Sequence, residues 1–283
     1  MFLYRSFLMT KHIQTRLAIA AAIAVTFFTQ TSVHAHEYWI EPLNFSPAID
    51  EQVAANLKVG SNLKGQELSY VPQFTVDYRL TDQNGTRRLE GKAGDRPALV
   101  FTPERPGLNV ISYVSSANRI TFQEWEKFNE YLTTQGMTDI AQRHVQRGLP
   151  QSGFAERYSR YVKSLIDVGS EQTGQDKLVG MKIELLALSN PYALDDGDEL
   201  TVQLYFQGTP LGDHQVSIFS QDQARQGELE ITRVRTNENG KVSFTLHSGE
   251  MYVINAIKMV DVEDQQNLVW ESFWGSLTFN MAG

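Results

Sequence analysis

Short apolar runs rich in β-forming residues, separated by polar turns, dominate the chain from residue 36 to about residue 116. The runs VAANLKV, QFTVDYRL and LNVISYVS are typical of β-strands. Turn sequences such as the Asn84-Gly85 pair separate them. Several short strands separated by turns predict a β-sandwich domain over residues 36–116.

The spacing of apolar residues changes to three and four between residues 121 and 168. The stretch TFQEWEKFNEYLTTQG predicts a helix that ends at Gly136, and SGFAERYSRYVKSLIDVG predicts a second helix. The polar stretch GSEQTGQDK then predicts a linker. We therefore expect a helical connector and linker over residues 117–178.

Strand patterns return over residues 179–283, in runs such as MKIELLAL, ELTVQLYFQ, KVSFTLH and NLVWESFWGSLTFN. Their layout resembles a transthyretin-like β-sandwich, a similarity that bears on fold and not on function. The sequence thus predicts a mainly β protein, with two β-sandwich domains of immunoglobulin-like or transthyretin-like type joined by the helical connector.

The first 35 residues have the composition of a secretion signal. A basic start, the apolar run LAIAAAIAVTFF and a polar end with Val33 and Ala35 at the −3 and −1 positions are its three expected parts. The apolar run is shorter than the ~20 residues that a spanning helix needs. We expect a signal peptide over residues 1–35, starting at Met1 or Met9, and a periplasmic mature protein without stable membrane insertion.

Charge and composition narrow the function. The formal net charge of −8 argues against nucleic acid as a partner. Without cysteines, a metal site must use histidine, carboxylate, methionine, backbone or a terminal amine. The sequence shows no serine elbow, P-loop, dinucleotide fingerprint or zinc-protease helix, and we expect a protein that is not an enzyme.

Cleavage after Ala35 would give His36 a free α-amine. That amine and Nδ1 of the same residue can close a six-membered chelate ring on one divalent transition metal ion, such as nickel, cobalt or copper. Metal binding must displace the amine proton, whose pKa is ~8, so affinity should fall with acidity. The alternatives are that His36 is an arbitrary first residue, or that a cut after Val33 leaves the sequence HAH.

Two further histidines are candidate metal ligands. His214 stands at the start of a predicted strand and His247 at the end of another. Each has the alternative of a turn or edge residue. His144 lies beside Arg143, where positive charge disfavours a metal ion, so we predict a surface position for it.

Several other side chains have a structural and a functional interpretation. Arg157, Arg160 and Lys163 could bind an anion, but a solvated basic helix face is the simpler prediction. Five aromatic residues near the ends of the mature chain predict strand packing, with a ligand platform as the alternative; they are Tyr38, Trp39, Trp270, Phe273 and Trp274.

A family resemblance rests on four stretches: HEYWIEP, ERYSRYVKSLIDVG, LVGMKIELLALSNPYALDDGDELTVQLYFQGTPL and WESFWGSLTF. Together they resemble the domain-of-unknown-function family of exported proteins described as periplasmic components of nickel and cobalt uptake, often labelled NikM-like. The resemblance implies a β-rich periplasmic protein that works with a metal-uptake transporter. It also implies a histidine in the penultimate strand, where this chain has Lys258 in NAIKM. The site is then either rebuilt with His214 or His247, or lost.

Three hypotheses follow from the sequence. The first is a non-enzymatic periplasmic protein that binds or delivers a divalent transition metal through His36. The second is a structural or protein-interaction module without metal. The third, a copper-dependent oxidative enzyme, requires a second histidine beside His36.

Overall fold

The protein was analysed as a computed structural model, which describes residues 37–222 and 228–281. The predicted signal peptide and His36 lie outside the described residues. The described chain forms, in order, the strands β1 (Glu37–Pro42), β2 (Val53–Ser61), β3 (Lys64–Leu68), β4 (Thr75–Asp82), β5 (Gly85–Arg88), β6 (Leu99–Phe101), β7 (Gly107–Ser115), β8 (Asn118–Phe122), β9 (Phe154–Val168), β10 (Ile183–Ala187), β11 (Glu199–Phe206), β12 (Thr209–Pro210), β13 (Gln215–Asp222), β14 (Glu230–Arg235), β15 (Lys241–Thr245), β16 (Glu250–Gln265) and β17 (Leu268–Asn280). Two α-helices, α1 (Trp125–Thr134) and α2 (Thr138–Gln146), lie between β8 and β9.

The strands form three sheets. The central sheet has the order β14-β13-β16-β17-β9-β7-β4-β5, with β8 paired to β9. The N-terminal sheet contains β1, β2, β3 and β6, and the C-terminal sheet contains β10, β11, β12 and β15. The expectation of a mainly β protein with β-sandwich packing is confirmed.

The central sheet is covered on both faces. One apolar core contains residues of the N-terminal sheet and of the central sheet, including Trp39 and Val162. The other contains residues of the C-terminal sheet and of the opposite face of the central sheet, including Leu185 and Leu165. A third core lies beneath α1 and α2. No helix in the described part of the chain is long and apolar enough to cross a membrane.

Strand β9 corrects the prediction of a second helix in the connector. It pairs with β7 on one side and with β17 on the other, so it lies inside the central sheet. Tyr161 and Leu165 enter the core of the C-terminal sheet, whereas Val162 and Ile166 enter the opposite core. These adjacent pairs recur every four residues, a spacing that fits both a helix and a strand buried on both faces. The segment 117–178 therefore contributes two helices and also strands of the central sheet.

Strands from all three predicted segments share this central sheet. β4, β5 and β7 come from residues 36–116, β8 and β9 from 117–178, and β13, β14, β16 and β17 from 179–283. The domain boundaries drawn from sequence remain a prediction. The helix predicted to end at Gly136 is confirmed as α1, although its first apolar residue, Phe122, belongs to β8.

A buried ionic cluster fixes the C-terminal sheet to β9. The Nζ of Lys163 lies 2.8 Å from Oδ1 of Asp176 and 3.2 Å from Oε1 of Glu184, and the three side chains are 1%, 0% and 2% exposed. The ammonium also donates to the carbonyl oxygens of Lys177 and Leu185, at 3.1 and 3.2 Å. Desolvation is offset only when a buried charge has such partners on every side.

The carboxylates of this cluster also organise the preceding chain. Glu184 accepts the N–H groups of Val179, Gly180 and Met181 at 2.8 to 3.1 Å. Asp176, in the stretch predicted to be a polar linker, is fully buried and accepts the N–H of Ala187 at 3.0 Å. The linker is therefore part of the packed structure.

We expect Lys163→Met to lower the free energy of unfolding by roughly 3–5 kcal/mol, because two buried carboxylates lose their cation. Urea denaturation measures this change. The control is Lys92→Met at an exposed loop lysine. Equal stability of the two variants would contradict a stabilising role for the cluster, and adding Glu184→Gln to Lys163→Met should recover part of the loss.

Candidate functional site

Glu37 is the first residue of β1 and the second residue after the predicted cleavage site. Its side chain is buried, and a carboxylate oxygen accepts the N–H of Asn62 at 2.9 Å. Burial raises the pKa of Glu37, while that hydrogen bond and the positive charges of Arg160 and Arg233 oppose the rise. The start of the described chain is thus fixed to β2 and lies in the field of two arginines.

His214 is buried at the entry to β13. Its Nε2 lies 2.8 Å from the carbonyl oxygen of Ile257, which can only accept, so Nε2 carries the proton. Burial, followed by the positive charges of Lys258 and Arg235, lowers the pKa of His214 to about 4. The ring is therefore neutral at physiological pH, with Nδ1 as its lone-pair nitrogen.

His247 lies in the connection between β15 and β16. Its side chain is 60% exposed, and its Nδ1 is 3.8 Å from an oxygen of Asp196. The main chain of His247 accepts the N–H of Glu250, the first residue of β16. Since Glu250 and Ile257 are seven residues apart on one strand, His214 and His247 are separated by roughly 23 Å.

The distance between His214 and His247 excludes a metal site that contains both of them. Metal–nitrogen bonds are ~2 Å long, so His214 and His247 cannot bind one ion together, and at most one of them can share an ion with His36. Within residues 37–222 and 228–281, no group of three or more histidines and carboxylates is arranged to hold a metal.

The structure does bring His214 and Lys258 together. Both line a cavity of about 310 Å³, together with the first turn of α2 and Arg235. The sequence singled out both residues, but only the pairing of β13 with β16, in which Ser217 lies opposite Asn255, shows that they are neighbours.

The basic residues of β9 are not a solvated helix face. Arg157 makes two hydrogen bonds to the carboxylate of Glu271, at 3.1 and 3.0 Å. Arg160 is buried, and its guanidinium lies 4.0 Å from the ring centroid of Trp274 and 5.7 Å from that of Tyr38. The prediction of solvent exposure is wrong for Arg160 and Lys163 because both faces of β9 are covered.

Glu156 is a buried acid that the sequence did not reveal. Its carboxylate accepts a short hydrogen bond from the hydroxyl of Ser272 and a longer one, at 3.4 Å, from Tyr131. The indole of Trp274 donates to the same Ser272 hydroxyl at 2.9 Å. Burial raises the pKa of Glu156 to about 7, against the lowering effect of Ser272 and Arg160. Only the parallel pairing of β9 with β17 places these residues side by side.

His144 and the aromatic residues have structural roles. Trp270 donates to Nδ1 of His144 at 3.0 Å, and the histidine Nε2 lies 3.0 Å from the carbonyl oxygen of Pro150, so both ring nitrogens are satisfied. The predicted surface position of His144 is wrong, since the ring is fully buried. The aromatic residues near the chain ends are buried too, which confirms packing for Tyr38, Trp39, Trp270, Phe273 and Trp274.

The structure thus defines a β-sandwich protein with a cavity-lining histidine at β13 and, elsewhere, a buried acid, Glu156, that lies within the electrostatic influence of Arg160. The chain belongs to the family described as Domain of unknown function (DUF4198), whose model matches residues 33–259. None of the curated proteins matches the chain.

Similar solved structures share little sequence with the chain. The D0-D1 domain of Intimin is 13% identical, with a TM-score of 0.21, over 85% of this chain and 97% of that one. A tetra-tandem repeat from the extending region of a large adhesion protein is 13% identical, with a TM-score of 0.20, over 87% and 50%. Escherichia coli alpha-2-macroglobulin activated by porcine elastase is 10% identical, with a TM-score of 0.21, over 88% and 20%. At these TM-scores the similarities carry no functional argument.

The pKa of Glu156 predicts a pH-dependent stability. Because its pKa in the folded protein, about 7, is above its ordinary value of 4.5, the folded state holds a proton that the unfolded state releases. The wild type should therefore lose about 3 kcal/mol of its free energy of unfolding as pH rises from 4.5 to 8. Glu156→Gln, which stays neutral, should remove this loss.

Urea denaturation of both proteins at several pH values measures the effect. The comparison with Glu156→Gln cancels the titration of other groups, and Glu104→Gln at an exposed glutamate is the control for a neutral substitution elsewhere. Parallel pH profiles for the wild type and Glu156→Gln would show that Glu156 ionises normally in the folded protein.

Proposed function

We propose that the protein is an exported, periplasmic, non-enzymatic protein that binds a divalent transition metal ion through His36. The predicted signal peptide supports export, and the family match begins at Val33, close to the predicted cut. The compact unit of the chain that contains all three sheets also begins at Val33. These boundaries favour a mature chain that starts near His36.

The observation that carries the proposal is the burial of β1 from its first residue. Glu37, Tyr38 and Trp39 are all buried, and Glu37 pairs with Gly60 of β2. A chain cut after Ala35 would have its terminal amine one residue before this fixed strand. Fixing the residue next to a chelating amine and imidazole lowers the entropy that metal binding must overcome.

The charges near Glu37 shape the expected affinity. Arg160 and Arg233 act on the Glu37 carboxylate, and positive charge opposes the approach of a metal cation. We therefore expect a site that depends on the strong chelate of amine and imidazole. Nickel, cobalt and copper are the candidate ions, and a metal-uptake transporter is the proposed partner.

A protein-interaction module without metal is the second candidate. It is favoured by the absence of a three-ligand metal group among the described residues. Such a module would use surfaces other than the aromatic residues at the chain ends, because these are buried. A copper-dependent oxidative enzyme needs a second histidine, and Nε2 of His214 is already bonded to Ile257.

Calorimetric titration of the exported protein with Ni(II), Co(II) and Cu(II) tests the proposal, after its first residue has been determined by N-terminal sequencing. His36→Ala should weaken binding at least roughly tenfold, since it removes one of two chelating groups. One added residue before His36 should do the same, because it displaces the amine but keeps the imidazole.

His247→Ala tests whether the exposed His247 shares the ion, and unchanged binding in this variant would assign the chelate to His36. Affinity should also fall by about tenfold for each pH unit below the amine pKa of ~8. Metal binding that is unchanged by the added residue would contradict the proposed chelate, and a partner captured without metal would favour the interaction module.

A further inference from the structure

The cavity beside His214 has the features of a binding site for a small anion. It lies where the first turn of α2 meets the entry to β13 and the Lys258 position of β16. Its volume of about 310 Å³ is at the small end of the range of ligand pockets. The cavity is separate from Glu37 and from the proposed metal chelate in its residues and chemistry.

Lys258 supplies a positive charge that the described protein does not neutralise. Its side chain lines the cavity and is half-buried, and the described residues provide no ion-pair partner within 4.0 Å. Arg235, also at the cavity, is held by Asp213, with 2.6 Å between Nε and Oδ1. Lys258 is therefore the cation available to a ligand.

The first turn of α2 adds backbone donors. Its N-cap residue, Met137, has no side-chain acceptor for the first N–H groups of the helix. Those of Thr138 and Asp139 have no hydrogen-bond acceptor within the described ranges, and both residues line the cavity. Free N–H groups at the start of a helix favour an anion.

His214 provides the independent second observation. Its side chain is nine-tenths buried and lines the cavity. Nε2 donates to Ile257, whereas Nδ1 has no hydrogen-bond partner within the described chain. Nδ1 is therefore an acceptor that remains for a donor on the ligand.

Two aspartates at the cavity carry the opposite charge. Asp213 is neutralised by its contact with Arg235. Asp139 is 68% exposed, and its carboxylate lies 3.5 Å from Arg143, although its charge also reaches His214 and opposes the lowering of that pKa. Neither aspartate forms an ion pair with Lys258 within 4.0 Å.

We propose that this cavity binds a small oxyanion that carries a hydroxyl donor, such as hydrogen phosphate or a short hydroxycarboxylate. The oxyanion accepts from Lys258 and from the N–H groups of Thr138 and Asp139. Its hydroxyl donates to Nδ1 of His214. An oxyanion without a hydroxyl places one of its acceptor oxygens against Nδ1 of His214, which is also an acceptor. This unfavourable contact costs binding free energy.

Isothermal titration with inorganic phosphate, sulfate, lactate and propionate tests this pairing of donor and acceptor. It is done in EDTA, on a full exported chain with one added residue before His36, so that the proposed metal chelate is blocked. Phosphate should bind at least roughly tenfold more tightly than sulfate, or lactate than propionate. The two pairs distinguish a phosphate ligand from a carboxylate ligand.

Two variants assign the roles of the side chains. Lys258→Met should weaken binding of the better ligand by roughly 10- to 100-fold, because a charge-assisted hydrogen bond is lost. His214→Phe should abolish the preference for phosphate over sulfate, or for lactate over propionate. The affinity for sulfate or propionate, which lack the hydroxyl donor, should stay unchanged. Lys241→Met, at an equally half-buried lysine outside the cavity, is the matched control.

Thermal unfolding of each variant shows whether it is folded under the titration conditions. Should His214→Phe fail to fold, chemical-shift changes of the His214 ring in the wild type on adding phosphate or lactate replace it as the readout. No saturable binding of phosphate or lactate up to tens of millimolar, or binding that Lys258→Met leaves unchanged, would overturn the proposal. Because metal is removed and the α-amine is displaced, the result of this titration bears on the cavity and not on the function proposed for His36.

Discussion

Two cations on one strand, directed to opposite faces of the central sheet, require partners from both layers that cover it. Lys163 of β9 is bound by Asp176 and Glu184 on the side of the C-terminal sheet. Arg160, three residues earlier, lies on the other face, against Tyr38 of the N-terminal sheet and against Trp274 of the neighbouring strand β17. An uncompensated buried charge costs several kcal/mol, so the cover on each face has to provide specific polar or aromatic groups. The segment 169–177, the start of β10 and the closing strand β17 are organised by this requirement.

The same constraint reaches both candidate sites. Arg160 contacts Tyr38 and acts on Glu37, so the central strand is coupled to the first residues of β1, where the proposed metal ligand would begin. The cavity of His214 and Lys258 lies beside the middle of β16, whose partner β17 pairs with β9. The central sheet therefore holds the start of β1 and the cavity of His214 and Lys258 at two different places in the fold. Neither depends on the other for its chemistry.

Local sequence patterns identified the strand-rich halves, because their strands are short, rich in β-branched and aromatic residues and separated by turn residues. They identified α1 because its apolar residues recur at three- and four-residue steps. They misassigned β9, because apolar pairs such as Tyr161-Val162 feed two opposite cores and imitate helical spacing. The histidines were recognised as candidate ligands from residue type alone. Their environments depend on long-range strand pairing, which no local spacing encodes: His214 meets Lys258 through β13 and β16, and Glu156 meets Ser272 through β9 and β17. The prediction of a polar linker failed for a similar reason, because Asp176 is buried in an ion pair with Lys163, 13 residues earlier in the chain.

The opposite orientation of Arg160 and Lys163 also bears on how the chain finds its strand order. A shift of β9 by one residue along β7 and β17 would turn every side chain to the other face. Asp176 and Glu184 would then lose Lys163 as their counter-ion. Arg160 would lose its contacts with the rings of Tyr38 and Trp274. Apolar residues buried on both sides give little discrimination against such a slip, because either face accepts them. The charges of Arg160 and Lys163 thus specify the register in which β9 pairs with β7 and β17.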